Sequence, residues 1–218
     1  MFDTFLDILG NVIYALMALC AVGGIVFCLL LWKRTGSKNF RRKSDADDFL
    51  DDVSAELSKK NFDGVAEICD TPQYWNKAVA QLVLIAVQNR DLGATKVKRL
   101  VGERFEREIL ADLEYQTTWI ATIVKSAPML GLLGTVSGMI KAFAKIAKMQ
   151  ETGADPSQLA DDISFALFTT ALGLSIAIPL VFGGNVIHIR MSKLQDAVQE
   201  HMGFFFEDFS KALGGKKL

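Results

Sequence analysis

Acidic side chains are missing from each long apolar stretch of this 218-residue chain: none falls between Ile8 and Trp32, Trp119 and Phe143, or Ile163 and Ile189. Hydroxyls inside such stretches can coordinate an ion but do not titrate near pH 7. A carboxylate acting within them must come from another chain. Basic residues are missing ahead of the first stretch, where Phe2-Asp3-Thr4-Phe5-Leu6-Asp7 supplies no n-region, which argues against a cleaved signal peptide. Cysteine is too scarce for a framework: Cys20 and Cys28 share one apolar segment, Cys69 falls in a region expected to stay reduced, and no disulfide is expected. Histidine is scarcer still. His188 and His201 lack a neighbouring ligand set, so no metal is assigned. There is no nucleophile with a base and no phosphate loop, so neither enzyme activity nor a cofactor is expected. The formal net charge of −1 offers nothing to a nucleic acid.

What is present is apolar. Half of all residues are hydrophobic, concentrated in three blocks that each exceed the roughly 20 residues a spanning helix needs. The fold class predicted is an all-α membrane protein with three transmembrane helices and long cytoplasmic helical extensions. It divides into a first transmembrane helix (1–32), a cytoplasmic helical domain (33–118), a second span (119–146), a periplasmic loop (147–162), a third span (163–189) and a cytoplasmic C-terminal helix (190–218). Trp32 with Lys33 and Arg34 makes an interface anchor, and Lys38, Arg41, Arg42 and Lys43 extend that basic flank. The segment between spans two and three carries Glu151, Asp155, Asp161 and Asp162 against Lys148. The asymmetry predicts a multi-pass protein with its N-terminus outside and its C-terminus in the cytoplasm.

The soluble region has one proline, Pro72, and no useful strand-like alternation, so it is expected to be helical. Asp45 to Lys60 is an amphipathic candidate with Phe49, Leu50, Val53 and Leu57 on one face and acids early, where the helix dipole favours them. Asn61 to Cys69 and Gln73 to Asn89 are two further helices, separated by Asp70-Thr71-Pro72. From Ala94 only Gly102 interrupts before Pro128, so a soluble helix is expected to run into span two. Arg190 to Leu213 should likewise continue span three. Gly153 to Pro156 marks the outer loop, and the Gly214-Gly215-Lys216-Lys217-Leu218 tail is expected to fray.

Spans two and three carry stripes of small residues. Ala127, Gly131, Gly134, Gly138 and Ala142 recur at helical spacing, with Thr135 beside them, and Ala166, Thr170, Gly173, Ala177 and Gly184 do the same in span three. Small residues at that spacing let helix backbones approach closely in a membrane. Span one offers no comparable face, and Ile13, Leu16, Ile25, Phe27 and Leu29 suit lipid. The simplest arrangement therefore places spans two and three inside and span one outside. Lys141, Lys145 and Lys148 form a basic face at the outer end of span two, suited to snorkelling or to contact with a partner. Lys125 is an anchor at the inner interface, and Phe204, Phe205, Phe206 and Phe209 are expected to pack in the cytoplasmic bundle.

Two motifs carry a resemblance. Ala127-Pro128 through Gly131-Leu132-Leu133-Gly134-Thr135-Val136-Ser137-Gly138-Met139-Ile140, and Thr169-Thr170-Ala171-Leu172-Gly173-Leu174-Ser175-Ile176-Ala177-Ile178-Pro179 with Asn185 beyond, resemble the MotA/TolQ/ExbB family of ion-channel stators. Three spans and a short N-terminus resemble the TolQ and ExbB branch. The resemblance implies a pentamer in the inner membrane of a Gram-negative bacterium, its second and third spans lining a channel. That channel would hold a dimer of a single-span ExbD/TolR-like partner bearing a membrane aspartate, moved by ion flow. It also implies that Thr135 and Thr170 are channel-facing hydroxyls, and that Pro128, Gly173 and Pro179 serve packing and kinks. One departure stands out: relatives of this branch usually place a glutamate where this chain has Phe165, with Asp161 or Asp162 as nearby substitutes. A non-conducting scaffold of the same fold and a small-solute channel are the alternative readings.

Overall fold

The computed structural model describes residues 2–149 and 156–214. Among them there is no strand. Seven α-helices follow in order: α1 (Phe2–Lys38), α2 (Lys43–Ser58), α3 (Phe62–Cys69), α4 (Ala78–Gln88), α5 (Ala94–Arg104), α6 (Ala111–Met149) and α7 (Pro156–Ala212). A 3₁₀ turn, Arg90–Leu92, precedes α5, and a π-helical turn, Phe105–Leu110, joins α5 to α6. Among the described residues, three helical stretches are long and apolar enough to cross a membrane: Ile8–Lys38, Ala94–Ala147 and Leu159–Ala212. Gly153 to Asp155 of the expected outer loop and Gly215 to Leu218 of the expected tail lie outside the described residues.

The chain forms two compact units. One comprises α1 as far as Leu29 with Thr117–Val186; the other comprises Leu30–Gln116 and the chain from Ile187. In the second unit, Ala46, Phe49, Val53 and Leu57 form the buried stripe of α2, and the acidic Asp45 sits in its first turn. Asn61 caps α3, its side-chain oxygen accepting from the Gly64 N–H at 3.1 Å. The helix expected from Gln73 begins only at Ala78. After Pro72 the Thr71 carbonyl accepts from both the Tyr74 and Trp75 amides, and Lys77 is extended at φ −79°, ψ 135°. Its ammonium donates to the Asn39 and Ser37 carbonyls just past and within the end of α1, at 2.8 and 3.3 Å. A lysine here satisfies carbonyls that a helix C-terminus leaves open.

The expected run from Ala94 toward Pro128 is helical throughout but not uniform. Val97, Val101, Phe105, Leu110 and Leu113 are all buried, and the wider π turn absorbs the extra residue that strict α geometry would rotate off this face. On α7, Phe205, Phe206 and Phe209 are buried, and the Phe205 and Phe209 rings stack at 5.2 Å with Phe62 edge-on to Phe209. Ser54 donates to Asp208 at 2.8 Å, tying α2 to the same stretch. Phe209→Ala should cost about 3–5 kcal/mol of this unit's stability, because the side chain is fully buried. Urea unfolding in detergent followed by circular dichroism reads that loss directly.

All three cysteines are free thiols. Burial pushes the Cys69 thiol up to about 12, so it is protonated and unreactive. His201 is buried, its Nδ1 without a hydrogen-bond partner among the described residues and its ring edge-on to Phe40 at 6.1 Å. Burial lowers its pKa; Glu200 and Asp47 oppose that and Lys43 adds to it. A depressed histidine pKa means the folded state holds the neutral ring. Its contribution is complete above the unfolded value of about 6.5 and is lost as pH falls through the lowered folded value. Stability should therefore decline on acidification below about pH 6.5, and His201→Phe should flatten that decline in a thermal-melt series across pH.

Candidate ion path

In the membrane unit, α6 and α7 run antiparallel and touch backbone to backbone. A Cβ on Gly131 would lie 2.8 Å from the Thr169 carbonyl oxygen and 3.0 Å from the Thr170 Cα; one on Gly173 would lie 2.6 Å from the Ala127 carbonyl oxygen. A Cβ on Gly134 would meet Thr169, and one on Gly138 would meet Ala166. Ala127 and Ala166 are buried in these contacts, and Ala142 and Ala177 are buried as well. The small-residue stripes thus face each other within a single chain. The surface they leave outward is large and apolar, including Met129, Leu132, Leu133, Val136 and Ile140 on α6 and Leu174, Ile178 and Phe182 on α7.

Pro128 is half-buried and Pro179 is exposed. Both lie inside helices, where the missing N–H leaves the carbonyl four residues back without its usual donor.

The hydroxyls converge on one carbonyl. The Gly131 oxygen accepts from Thr170 Oγ1 at 3.0 Å and from Thr169 Oγ1 at 3.1 Å, and Thr170 Oγ1 lies 3.5 Å from Thr135 Oγ1. Thr135 donates back to the Leu132 carbonyl at 2.7 Å, as membrane threonines commonly do. Thr135 and Thr170, predicted from the motif, are therefore neighbours across the helix pair. Thr169 is the residue that the sequence reading missed. It stands four residues before Gly173 and three after Ala166, so the small-residue spacing already marked its face.

Two expectations about span one need correction. Ile13, read as lipid-facing, is only 1% exposed, and Met17 is fully buried. Span one also carries small residues against the other two helices: a Cβ on Gly24 would meet the Leu180 side chain of α7, one on Gly23 would lie 3.9 Å from Ile123 of α6, and one on Gly183 of α7 would lie 3.1 Å from the Cys28 sulfur. Span one does have a close-packing face. Leu16, Ile25 and Leu29 remain exposed as expected.

At the end of the spans where α6 gives way to α7, Lys145 pairs with Asp162. Asp162 is thus held by a cation on the neighbouring helix. The side chain of Lys148 lies outside the described residues, and Lys141 is half-buried. Phe165, where the resemblance implies a glutamate, is 62% exposed with its ring 5.6 Å from that of Tyr14.

A three-span helical chain whose second and third spans meet on glycine and threonine defines a class of membrane proteins. Residues 74–200 match the MotA/TolQ/ExbB proton channel family, and the chain belongs to that family, in its TolQ/ExbB branch. The Tol-Pal system protein TolQ of Haemophilus influenzae is 32% identical over 115 residues, covering 53% of this chain and 47% of the relative. The biopolymer transport protein ExbB of Salmonella typhimurium is 32% identical over 142 residues, 64% of this chain and 53% of the relative. ExbB of Pseudomonas putida is 42% identical over 93 residues, 41% of this chain and 28% of the relative. The chain spans about half the length of the first curated relatives it matches.

Proposed function

We propose that this chain is the ion-conducting stator subunit of an inner-membrane motor complex, coupling an ion-motive force to movement of a single-span ExbD/TolR-like partner. The observation that carries the reading is the pairing of Thr135 with Thr170 in a membrane unit whose three apolar stretches contain no acid of their own. An aspartate on a partner's helix is costly in lipid, about 2.5–3.5 kcal/mol by insertion scales, and would seek the polar groups on these helices. Each elementary charge crossing 100 mV supplies about 2.3 kcal/mol, enough to bias a modest conformational step.

In this reading five copies form the ring, a dimer of the partner occupies its centre, and Thr135 and Thr170 line the ion path. Ala127, Pro128, Gly131, Gly134, Gly138, Ala166, Gly173, Ala177 and Pro179 set helix approach and bend. Lys141 and Lys145 contact the partner outside the membrane, where the N-terminus also lies, and the C-terminus is cytoplasmic. The exposed apolar faces of α6 and α7 supply surface for neighbouring copies and lipid. A non-conducting scaffold is the second reading. It is favoured by Phe165 at the glutamate position and by the engagement of Asp162 with Lys145.

Native mass spectrometry of the tagged chain drawn from its own membrane should yield five copies with two of a small single-span protein carrying a membrane aspartate. A homo-oligomer without such a companion would favour the scaffold.

A further inference from the structure

In the unit that holds Leu30–Gln116 and the chain from Ile187, α2 packs on α3, α3 on α4 and α4 on α5, so α2 and α5 stand at the two ends of one packing order. The two ends carry opposite charge. Opposite the buried stripe of α2 lie Asp48 and Asp51, with Asp47 and Asp52 beside them, all four exposed. None of the four forms an ion pair among the described residues, and like charges one turn apart on a helix repel. On α5, Lys96, Lys98 and Arg99 are exposed. Lys96 stands in a first turn that holds no acid, where the helix dipole disfavours a cation. Of these three, Arg99 alone forms an ion pair among the described residues, with Glu103 at 3.7 Å. Each helix therefore holds charge that its own chain leaves without a partner.

The two patches also lie at one height along the long helices. Arg190 of α7 covers the Trp32 ring at 3.4 Å, and two residues further along α1 Arg34 pairs with Asp112 of α6 at 2.7 Å, which sets the register of α1, α6 and α7 here. Counted from Trp32 at about 1.5 Å per residue, the Lys43–Glu200 and Ser54–Asp208 contacts place Lys43 and Ser54 at about 15 and about 27 Å, with the four aspartates between them. On the same count Lys96 to Arg99 fall at about 22 to 27 Å. We propose that the acidic face of α2 on one copy of this chain docks on the basic face of α5 on the next copy. The contact is head to tail, and patches at one height are joined by a rotation without a rise, so it closes into a ring rather than running on as a filament. Exposed charge pairs add little affinity and chiefly select partner and register, so this contact fixes the order of copies that the apolar spans hold together. The ring itself rests on the stator reading; the surface by which neighbours meet is what the charges add.

Cross-linking in broken native membranes tests the contact in the full chain. With Cys20, Cys28 and Cys69 replaced, a copy bearing Ala55→Cys and one tag is co-expressed with a copy bearing Thr95→Cys and a second tag, both exposed positions beside the charges, and a short bismaleimide is added. Thiols held side by side react at a raised effective concentration, so a dimer carrying both tags should form at least about tenfold faster than from Ala55→Cys copies alone or Thr95→Cys copies alone. Asp48→Lys with Asp51→Lys on the first copy should slow the reaction at least about tenfold, and Lys96→Glu with Lys98→Glu on the second should restore it, which damage to either helix would not allow. Native mass spectrometry of the same membranes reports the ring independently. Five copies without this cross-link, a cross-link indifferent to charge reversal, or faster joining of like faces would overturn the α2–α5 contact and leave the stator reading standing. A chain found only as a monomer would overturn both.

Discussion

Gly173→Leu should abolish the folded membrane unit, leaving material that fails to run as a discrete oligomer on a native gel. The position has no slack. A Cβ there would lie 2.6 Å from the Ala127 carbonyl oxygen and 3.3 Å from the Gly131 Cα, both backbone atoms of the opposing helix. Backbone can yield only by separating the helices, which would pull Thr170 away from the Gly131 carbonyl 3.0 Å distant. Overpacking of a flexible core costs about 1–3 kcal/mol, and a backbone-to-backbone contact belongs at or beyond the upper end. The position of the neighbour, rather than the loss of glycine, makes the difference. Gly203→Ala, with nothing within 4 Å of its Cβ, should be neutral or stabilise α7 by up to about 1 kcal/mol. Gly24→Ala should fall between them, since the tip of the Leu180 side chain can move aside. A normal oligomer from Gly173→Leu would contradict the packing of α6 on α7.

Thr170→Val should leave assembly intact and abolish ion-driven function. Valine reproduces the shape of threonine and removes only the hydroxyl. The Gly131 carbonyl lies inside α6, where the amide four residues on remains its helical donor, so no buried acceptor is orphaned. Thr135 loses its neighbour across the seam, and the expected loss of ion flux is at least about tenfold, the equivalent of about 1.4 kcal/mol on the barrier. Thr169→Val is the informative contrast, because the Thr169 hydroxyl also bonds its own helix at the Ala166 carbonyl, 2.6 Å away. It should cost less function than Thr170→Val if the Thr135–Thr170 pair is the working one. Full flux in Thr170→Val would remove that hydroxyl from the mechanism.

Much of this architecture was legible before any coordinates. Long charge-free runs can be satisfied only by spanning helices, and the glycine and alanine spacing in spans two and three anticipated their close approach. The helix over Asp45 to Lys60 appears as Lys43–Ser58, because Phe49, Val53 and Leu57 recur every four residues. What escaped depended on partners distant in sequence. The delayed start of α4 follows from Lys77 serving the carbonyls at the end of α1 some 40 residues earlier, which no local pattern encodes. Ile13 looked like a lipid-facing residue because burial of an apolar side chain depends on its neighbours, and those neighbours lie on two other helices. The role of Thr169 was visible in spacing but masked by the motif, which drew attention to Thr170.

The central claim is that these helices conduct only with a carboxylate brought by another chain. Proton uptake into sealed liposomes under an imposed potential tests it most directly, comparing the chain alone with the chain purified together with its partner. The account predicts no uptake by the chain alone, uptake by the complex, and its loss when the partner's membrane aspartate is changed to asparagine. Uptake by the chain alone at the rate of the complex would contradict it.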